Sequence, residues 1–454
     1  MLNLIKTLLD KLGVDGAIGY TVVGRVLQAI SGVFTLIFVV NFLSSEEQGY
    51  FYTFGSILAI QVFFELGLSG IITQYVAHEV SRFTWISNSE YEGSEEAKSR
   101  LSSLLHFSIK WFSRIGIVFF IALVIIGIIF FTRFGNLSND VQWKFPWVIL
   151  SLATSLWLIL SPVLAFFEGL GRVKEVAKIR LVQQVVQMLS SYIIFFVGGK
   201  LYAAPVASLI AFAMVLIYLV NSGFGKIVAK IWKDLSIYRV NYKTEIFPYQ
   251  WKIAISWISG YFIFQLFNPV IFATEGAVVA GQMGMTLAVL NAIFSLAFSW
   301  ISTKVPLFSN LIAKKEYVDL DQVFNKTLKQ SAILNAVCLM IFLCAVLLLD
   351  YLKLSFAGKD FFNRFLPLLP LVFMIIPIFL NHLVGAWATY LRCHKEEPLL
   401  LQSVLMGALC CISTVTLGNL FGVMGITVGY LVLTSLSFVW AYLTYSRLKK
   451  KWHT

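Results

Sequence analysis

Residues 111–132 read WFSRIGIVFFIALVIIGIIFFT, and from Ile115 to Thr132 no charge interrupts them. A run of about 18 apolar residues crosses the roughly 30 Å hydrocarbon core of a bilayer as one helix. It does so as a helix because lipid offers no partner to an exposed backbone N–H or C=O. Runs of the same character lie near 17–43, 49–77, 146–168, 179–198 and 201–221. Six more lie near 250–273, 277–302, 330–351, 365–391, 399–418 and 422–446. The fold class they imply is an all-α integral membrane protein of about twelve transmembrane helices. Composition agrees: 59% of the 454 residues are hydrophobic and 13% charged, against roughly 45–50% and 25% in soluble domains.

The first fifteen residues carry no cleavable signal pattern. Leu2, Ile5, Leu8, Leu9 and Leu12 share one helical face with Asn3, Lys6, Asp10 and Lys11 opposite, which predicts an interfacial helix ahead of span 1. The five cysteines show neither zinc-ligand spacing nor a disulfide framework and read as small packing residues.

Charge predicts orientation. Of 35 Lys and Arg, only Arg133, Lys144, Lys200, Lys353, Lys359 and Arg364 fall opposite the N-terminus, and Arg25 lies inside span 1. The other 28 share the N-terminal side. The positive-inside rule then places both termini in the cytoplasm, in a bacterial inner membrane. The net charge of +12 follows from that topology and from lipid headgroups, and needs no nucleic-acid partner.

Spans 1–6 and 7–12 share one plan. Each half opens with a hairpin closed by a short turn, Ser44–Gln48 in one and Thr274–Gly276 in the other. Each then has a basic-side loop of about thirty residues, near 78–110 and 303–329, and a short basic link carrying Lys174-Glu175 or Lys395-Glu396. Gly49 and Gly281 open the second helix of each half, an offset of 281 − 49 = 232. The expected organisation is an N-terminal six-helix lobe over 1–222, a basic linker over 223–249 and a C-terminal six-helix lobe over 250–454. Six spans per copy keep both copies in one orientation, with a central cavity between them.

The segments Glu46-Glu47-Gln48-Gly49-Tyr50, Phe64-Glu65-Leu66-Gly67-Leu68 and Glu168-Gly169-Leu170-Gly171-Arg172 resemble those of polysaccharide exporters of the MOP superfamily, and the Wzx-type O-antigen flippases most. The resemblance implies transfer of an undecaprenyl-pyrophosphate-linked oligosaccharide from the cytoplasmic to the periplasmic leaflet, with a polysaccharide polymerase and glycosyltransferases as partners. It implies no cofactor beyond a coupling proton or sodium ion. A cation-coupled multidrug exporter of the MATE type, from the same superfamily, is the alternative. An enzyme is disfavoured: there is no phosphate-binding Gly-rich loop, no His–Glu metal motif and no paired carboxylates in a sizeable aqueous loop.

Charges inside a bilayer point to function, since each costs roughly 2.5–3.5 kcal/mol on insertion scales. Arg25 in span 1 and Glu65 in span 2 are predicted to lie at similar depth. They read either as a buried pair locking two helices, or as a headgroup site in which the Arg25 fork binds pyrophosphate while Glu65 holds it or carries a coupling proton. The 232-residue offset maps them to Trp257 and Ala297, so no second pair exists. Gln28, Gln61, Asn268, Asn291 and Lys304 complete the candidate substrate-binding set, each amide open to a plain interhelical role and Lys304 to a flanking one. Pro162 and Asn268-Pro269 are predicted to kink spans 4 and 7.

Overall fold

A computed structural model describes residues 16–86, 90–135, 141–352, 355–356, 359–394 and 396–453. The interfacial helix expected over 1–15 lies outside the described residues. Among these, nine helices are long and apolar enough to cross a membrane, and the bent pair Ser45–Glu65 and Leu68–Val80 makes a tenth. Gly16–Phe42 forms span 1 ahead of that pair. The last helix, Leu400–Trp452, has 53 residues and would measure about 80 Å if straight. It is broken at Gly422, with φ of 59°, into spans 11 and 12. The described residues therefore form an all-α membrane protein of about twelve transmembrane helices, with the short helix Gly223–Lys233 besides.

Local chemistry sets the hairpin turns. Ser44 caps span 2 through its Oγ on the Glu47 N–H at 3.1 Å, and the Glu47 carboxylate returns to the Ser44 N–H at 2.8 Å. This reciprocal capping box satisfies two helix-end donors where lipid supplies no acceptor. The turn between Phe267–Glu275 and Ala277–Ala313 is one residue, Gly276, at φ 87°. Glu275 beside it accepts the Val423 N–H at 2.7 Å and so caps span 12. A Cβ at Gly422 would fall 1.4 Å from that carboxylate oxygen.

The two basic-side loops are mostly helix. Glu95–Phe134 begins inside the first, and Ala277–Ala313 and Tyr317–Leu352 leave three residues between them in the second. Span 7 breaks between Phe264 and Phe267, just before Asn268-Pro269. Lys144–Gly169 instead runs unbroken through Pro162.

The chain forms two compact units. One holds residues 16–31, 58–133 and 141–257. In it Leu68–Val80 lies close along span 4, because Gly169 has no side chain: a Cβ there would sit 2.6 Å from Val76 Cβ. Gly127 likewise makes room for buried Trp147, whose Nε1–H donates to the Leu123 carbonyl at 3.0 Å. The second unit holds 32–57, 134–135 and 258–453. Its core at the basic end gathers Phe308, Phe324, Trp387, Tyr390 and Tyr445. Asp321 accepts the Tyr390 hydroxyl at 2.8 Å and pairs with Lys449 at 3.0 Å.

Glu275→Ala should lower the melting temperature of the purified protein, by the roughly 0.5–2 kcal/mol of a lost N-cap. Gly422→Ala should cost at least as much, through its positive φ and the clash with the same carboxylate.

Candidate functional site

Span 2 is broken where Glu65 stands. Leu66 and Gly67 take consecutive left-handed conformations, φ 50° and 68°, and the flanking helices bend by 41°. A leucine there costs roughly 1–2 kcal/mol, so packing enforces the break. Glu65 Oε1 accepts the Ser69 hydroxyl at 2.6 Å, and Ser69 shares a 3.3 Å hydrogen bond with Ser161 of span 4. Thr73 continues the seam to the Ala165 carbonyl at 3.0 Å. The carboxylate thus sits by the N-terminal turn of Leu68–Val80, where the helix dipole favours negative charge.

Arg25 lies on the span 1 helix, and its side chain is outside the described residues. Its stretch of helix runs along span 5, Val173–Phe196. A Cβ on neighbouring Gly24 would meet Gln184 Oε1 at 3.5 Å, and the Tyr192 hydroxyl donates to the Ser31 carbonyl at 2.9 Å. Gln28 is exposed and Gln61 half-buried; both belong, with Glu65, to the first unit. Asn268, Asn291 and Lys304 belong to the second. Asn291 and Lys304 are exposed. Lys304 lines a cavity of about 330 Å³ with Ser299, Trp300, Thr303, Thr327 and Gln330.

Asn268 is buried and donates to Ser56 Oγ at 3.1 Å, one contact of a larger seam that sequence reasoning missed. Within the second unit, the start of span 2 docks on spans 7 and 8 at the charge-poor end. A Cβ on Gly49 would lie 1.9 Å from the Ala277 carbonyl oxygen, and one on Gly281 2.9 Å from Gly49 N. No side chain fits at Gly49. Gln48 donates to the Gly281 carbonyl at 2.9 Å and the Arg364 carbonyl at 3.2 Å. Arg364, 5% exposed, donates to Gln48 Oε1 at 3.1 Å and the Leu43 carbonyl at 3.0 Å. The buried guanidinium is thus bridged by neutral acceptors that would otherwise be orphaned. The Tyr50 and Phe272 rings meet edge-on at 5.0 Å. One signal pointed here: Arg364 is among the six basic residues on the charge-poor side. Gly49 and Gly281 are also the pair that the 232-residue offset matches.

At the basic end, the first unit ties the linker down. Glu79, 2% exposed, pairs with Arg100 at 2.8 Å, and Arg100 pairs with Glu245 at 2.6 Å. The Tyr75 hydroxyl donates to the Glu245 carbonyl and Tyr91 to Asp234. Ser99 and Ser103 accept the backbone N–H groups of Ser236 and Val240 at 2.8 and 3.0 Å. The helix Gly223–Lys233 buries Phe224, Ile227 and Ile231 and exposes Lys226 and Lys233. Burial alone would raise the Glu245 carboxyl, but hydrogen bonds from Arg100 and the Asn241 N–H hold it below the usual carboxylate range.

No known family profile and no curated protein matches the sequence. The fold is nonetheless shared with solved transporters. The MATE multidrug transporter DinF-BH superposes with a TM-score of 0.61 at 14% identity, covering 94% of this chain and 93% of that one. The lipid II flippase MurJ, in an inward closed conformation, gives 0.57 at 14% identity over 94% and 86%. A MOP superfamily transporter from Pyrococcus furiosus gives 0.52 at 14% identity over 95% and 94%. This chain has their fold.

Arg364→Ala should destabilise by about 1–3 kcal/mol, the cost of leaving buried acceptors unpaired, and Gly49→Ala by a similar overpacking cost. Thermal unfolding in detergent reads both. Glu245, with its depressed folded value, contributes stability in full above about pH 4.3, the unfolded value. That stability is lost as pH falls through the lower folded value. The melting advantage of wild type over Glu245→Gln should therefore be constant near neutrality and vanish in acid.

Proposed function

We propose that this chain is a MOP-superfamily flippase of the Wzx type. It moves an undecaprenyl-pyrophosphate-linked oligosaccharide from the cytoplasmic to the periplasmic leaflet of a bacterial inner membrane, by alternating access. The observation that carries the reading is an arginine in span 1 of a chain with this fold. A permanent planar cation in the membrane suits a pyrophosphate, which accepts a bidentate fork, and repels a cationic drug. Arg25 binds the headgroup in this reading, with Glu65 as its counter-charge or as a coupling carboxylate, while the polyprenyl tail stays in lipid.

Glu65 suits such a part because it sits on a ready-made hinge. Its hydrogen bond to Ser69 crosses the Leu66-Gly67 break, so a change of charge at the carboxylate bears on the bend. The 28-to-6 charge split supports cytoplasmic termini, which makes the Gly49–Gly281 seam the periplasmic barrier. Cargo leaves when that seam parts, and Gln48 and Arg364 hold it until then. Gln28, Gln61, Asn268, Asn291 and Lys304 offer amides and charge along the route, with polymerase and glycosyltransferases acting on either side of the transfer. The likeness to DinF-BH favours a second reading, a cation-coupled multidrug exporter; there Glu65 would bind the cation or drug.

In cells depending on this chain for surface glycan, Arg25→Ala should abolish the glycan while the protein stays in the membrane. Arg25→Lys should be only partly active if two-pronged geometry matters. Normal export by Arg25→Ala would overturn the headgroup role. Recovery by the swapped pair, Arg25→Glu with Glu65→Arg, would mark a structural ion pair instead.

A further inference from the structure

The second unit buries an imidazole in mid-membrane with one nitrogen unmatched. His382 of span 10 is fully buried, and its Nε2 lies 3.0 Å from Ser331 Oγ on span 9. The Ser331 hydroxyl also reaches the Leu328 carbonyl at 3.2 Å, so its one proton serves either contact. With that proton on Leu328, Ser331 accepts and Nε2 is the protonated nitrogen of the neutral ring. In either tautomer Nδ1 is buried and without a hydrogen-bond partner. Asn335 lies one turn along the same face of span 9, about 5–6 Å away. It too is fully buried, and neither Nδ2 nor Oδ1 has a partner. Three orphaned polar atoms would each cost about 1–3 kcal/mol if nothing occupied the space.

We propose that His382, Ser331 and Asn335 form a proton-binding site, in which Nδ1 takes a proton and Asn335 Oδ1 accepts the new N–H directly or through one water. The rings of Phe294 and Phe298, both of span 8, lie 5.9 Å from the imidazole. Both meet it near right angles, with interplanar angles of 83° and 90°. Thr327, Ser331 and Asn335 make a buried polar stripe at four-residue spacing, and Thr327 also lines the 330 Å³ cavity with Lys304 and Gln330. Protons reach the site by that stripe.

The groups packed on His382 are Ser331, Phe294 and Phe298. Tyr430 of span 12 holds the adjacent Asn381 at 2.8 Å, and the Asp321–Lys449 pair lies about 15 Å toward the basic end, ten residues along span 9. Lys304 lines the same cavity as Thr327, and a neutral imidazole takes one further proton only. A sodium ion fits poorly, since the three side chains supply no anionic oxygen. The site stands apart from the cargo: a proton binds it whether the chain carries a glycan or a drug.

The test is nitrogen NMR of the full chain in lipid nanodiscs, labelled at its histidines, over about pH 3–8, a range that takes in both buried and free imidazoles. One resonance pair, identified by its loss in His382→Gln, should pass from the Nε2–H neutral form to the doubly protonated form as pH falls. Asn335→Leu should weaken that proton binding about tenfold or more, and Ser331→Ala should release the fixed tautomer. A ring that stays neutral throughout would overturn the proposal, as would a titration indifferent to Asn335→Leu. A response to sodium chloride at constant pH in place of the titration would replace the proton with sodium.

Discussion

The contact between Gly49 and the backbone of Ala277 and Gly281 constrains everything around it. With 1.9 Å left for any Cβ at Gly49, two helices more than 200 residues apart in the sequence meet backbone to backbone. Close approach of this kind is how helices associate in lipid, where no hydrophobic force drives them together. The approach also brings Gln48 within reach of the Gly281 carbonyl, and Arg364 within reach of Gln48 and Leu43. The Gln48 and Arg364 side chains are worth burying only because each satisfies the other's orphaned atoms. Ser56 with Asn268, and Tyr50 with Phe272, extend the same seam by further turns. A seam of short-range polar contacts has two clear states, formed or hydrated, which is what a barrier to a large polar cargo requires.

Glu65 and His382 divide the rest of the chemistry between the two units. Glu65 sits at a backbone break in the first, and its hydrogen bond spans the hinge. His382 sits in the second, in a well-packed aromatic setting. One is placed to alter a bend and the other to hold a proton. Neither needs a metal or an organic cofactor for that.

Much of the fold was legible because the membrane restricts it so strongly. The Ile115–Thr132 run leaves a chain no option but a helix, and the same logic located the apolar stretches of the spans, while the helices Glu95–Phe134, Ala277–Ala313 and Tyr317–Leu352 run well beyond them. The break in span 7 was announced by Asn268-Pro269, whereas Pro162 lies in an unbroken helix. The break at Leu66 was hidden, since leucine has no left-handed preference; only tertiary packing enforces it. The helical extension of the basic-side loops was hidden for a related reason. Charged and polar residues that form good helices look the same as loop residues to a hydropathy reading. Arg364 and Gln48 were seen only as a flanking charge and a turn residue, because their value comes from each other across 316 positions. His382 and Asn335 were visible as polar residues in apolar runs, but the lone pair on Nδ1 depends on where Ser331 sends its proton.

In the proposed function the cargo is an anionic lipid-linked glycan. Proteoliposomes holding the purified chain and a fluorescent undecaprenyl-pyrophosphate-linked oligosaccharide test it directly, with a membrane-impermeant quencher reporting how much label has changed leaflet. The account predicts transfer that depends on the chain and is lost when the pyrophosphate is replaced by an uncharged linker. Transfer of a cationic dye with no movement of the glycan lipid would contradict it.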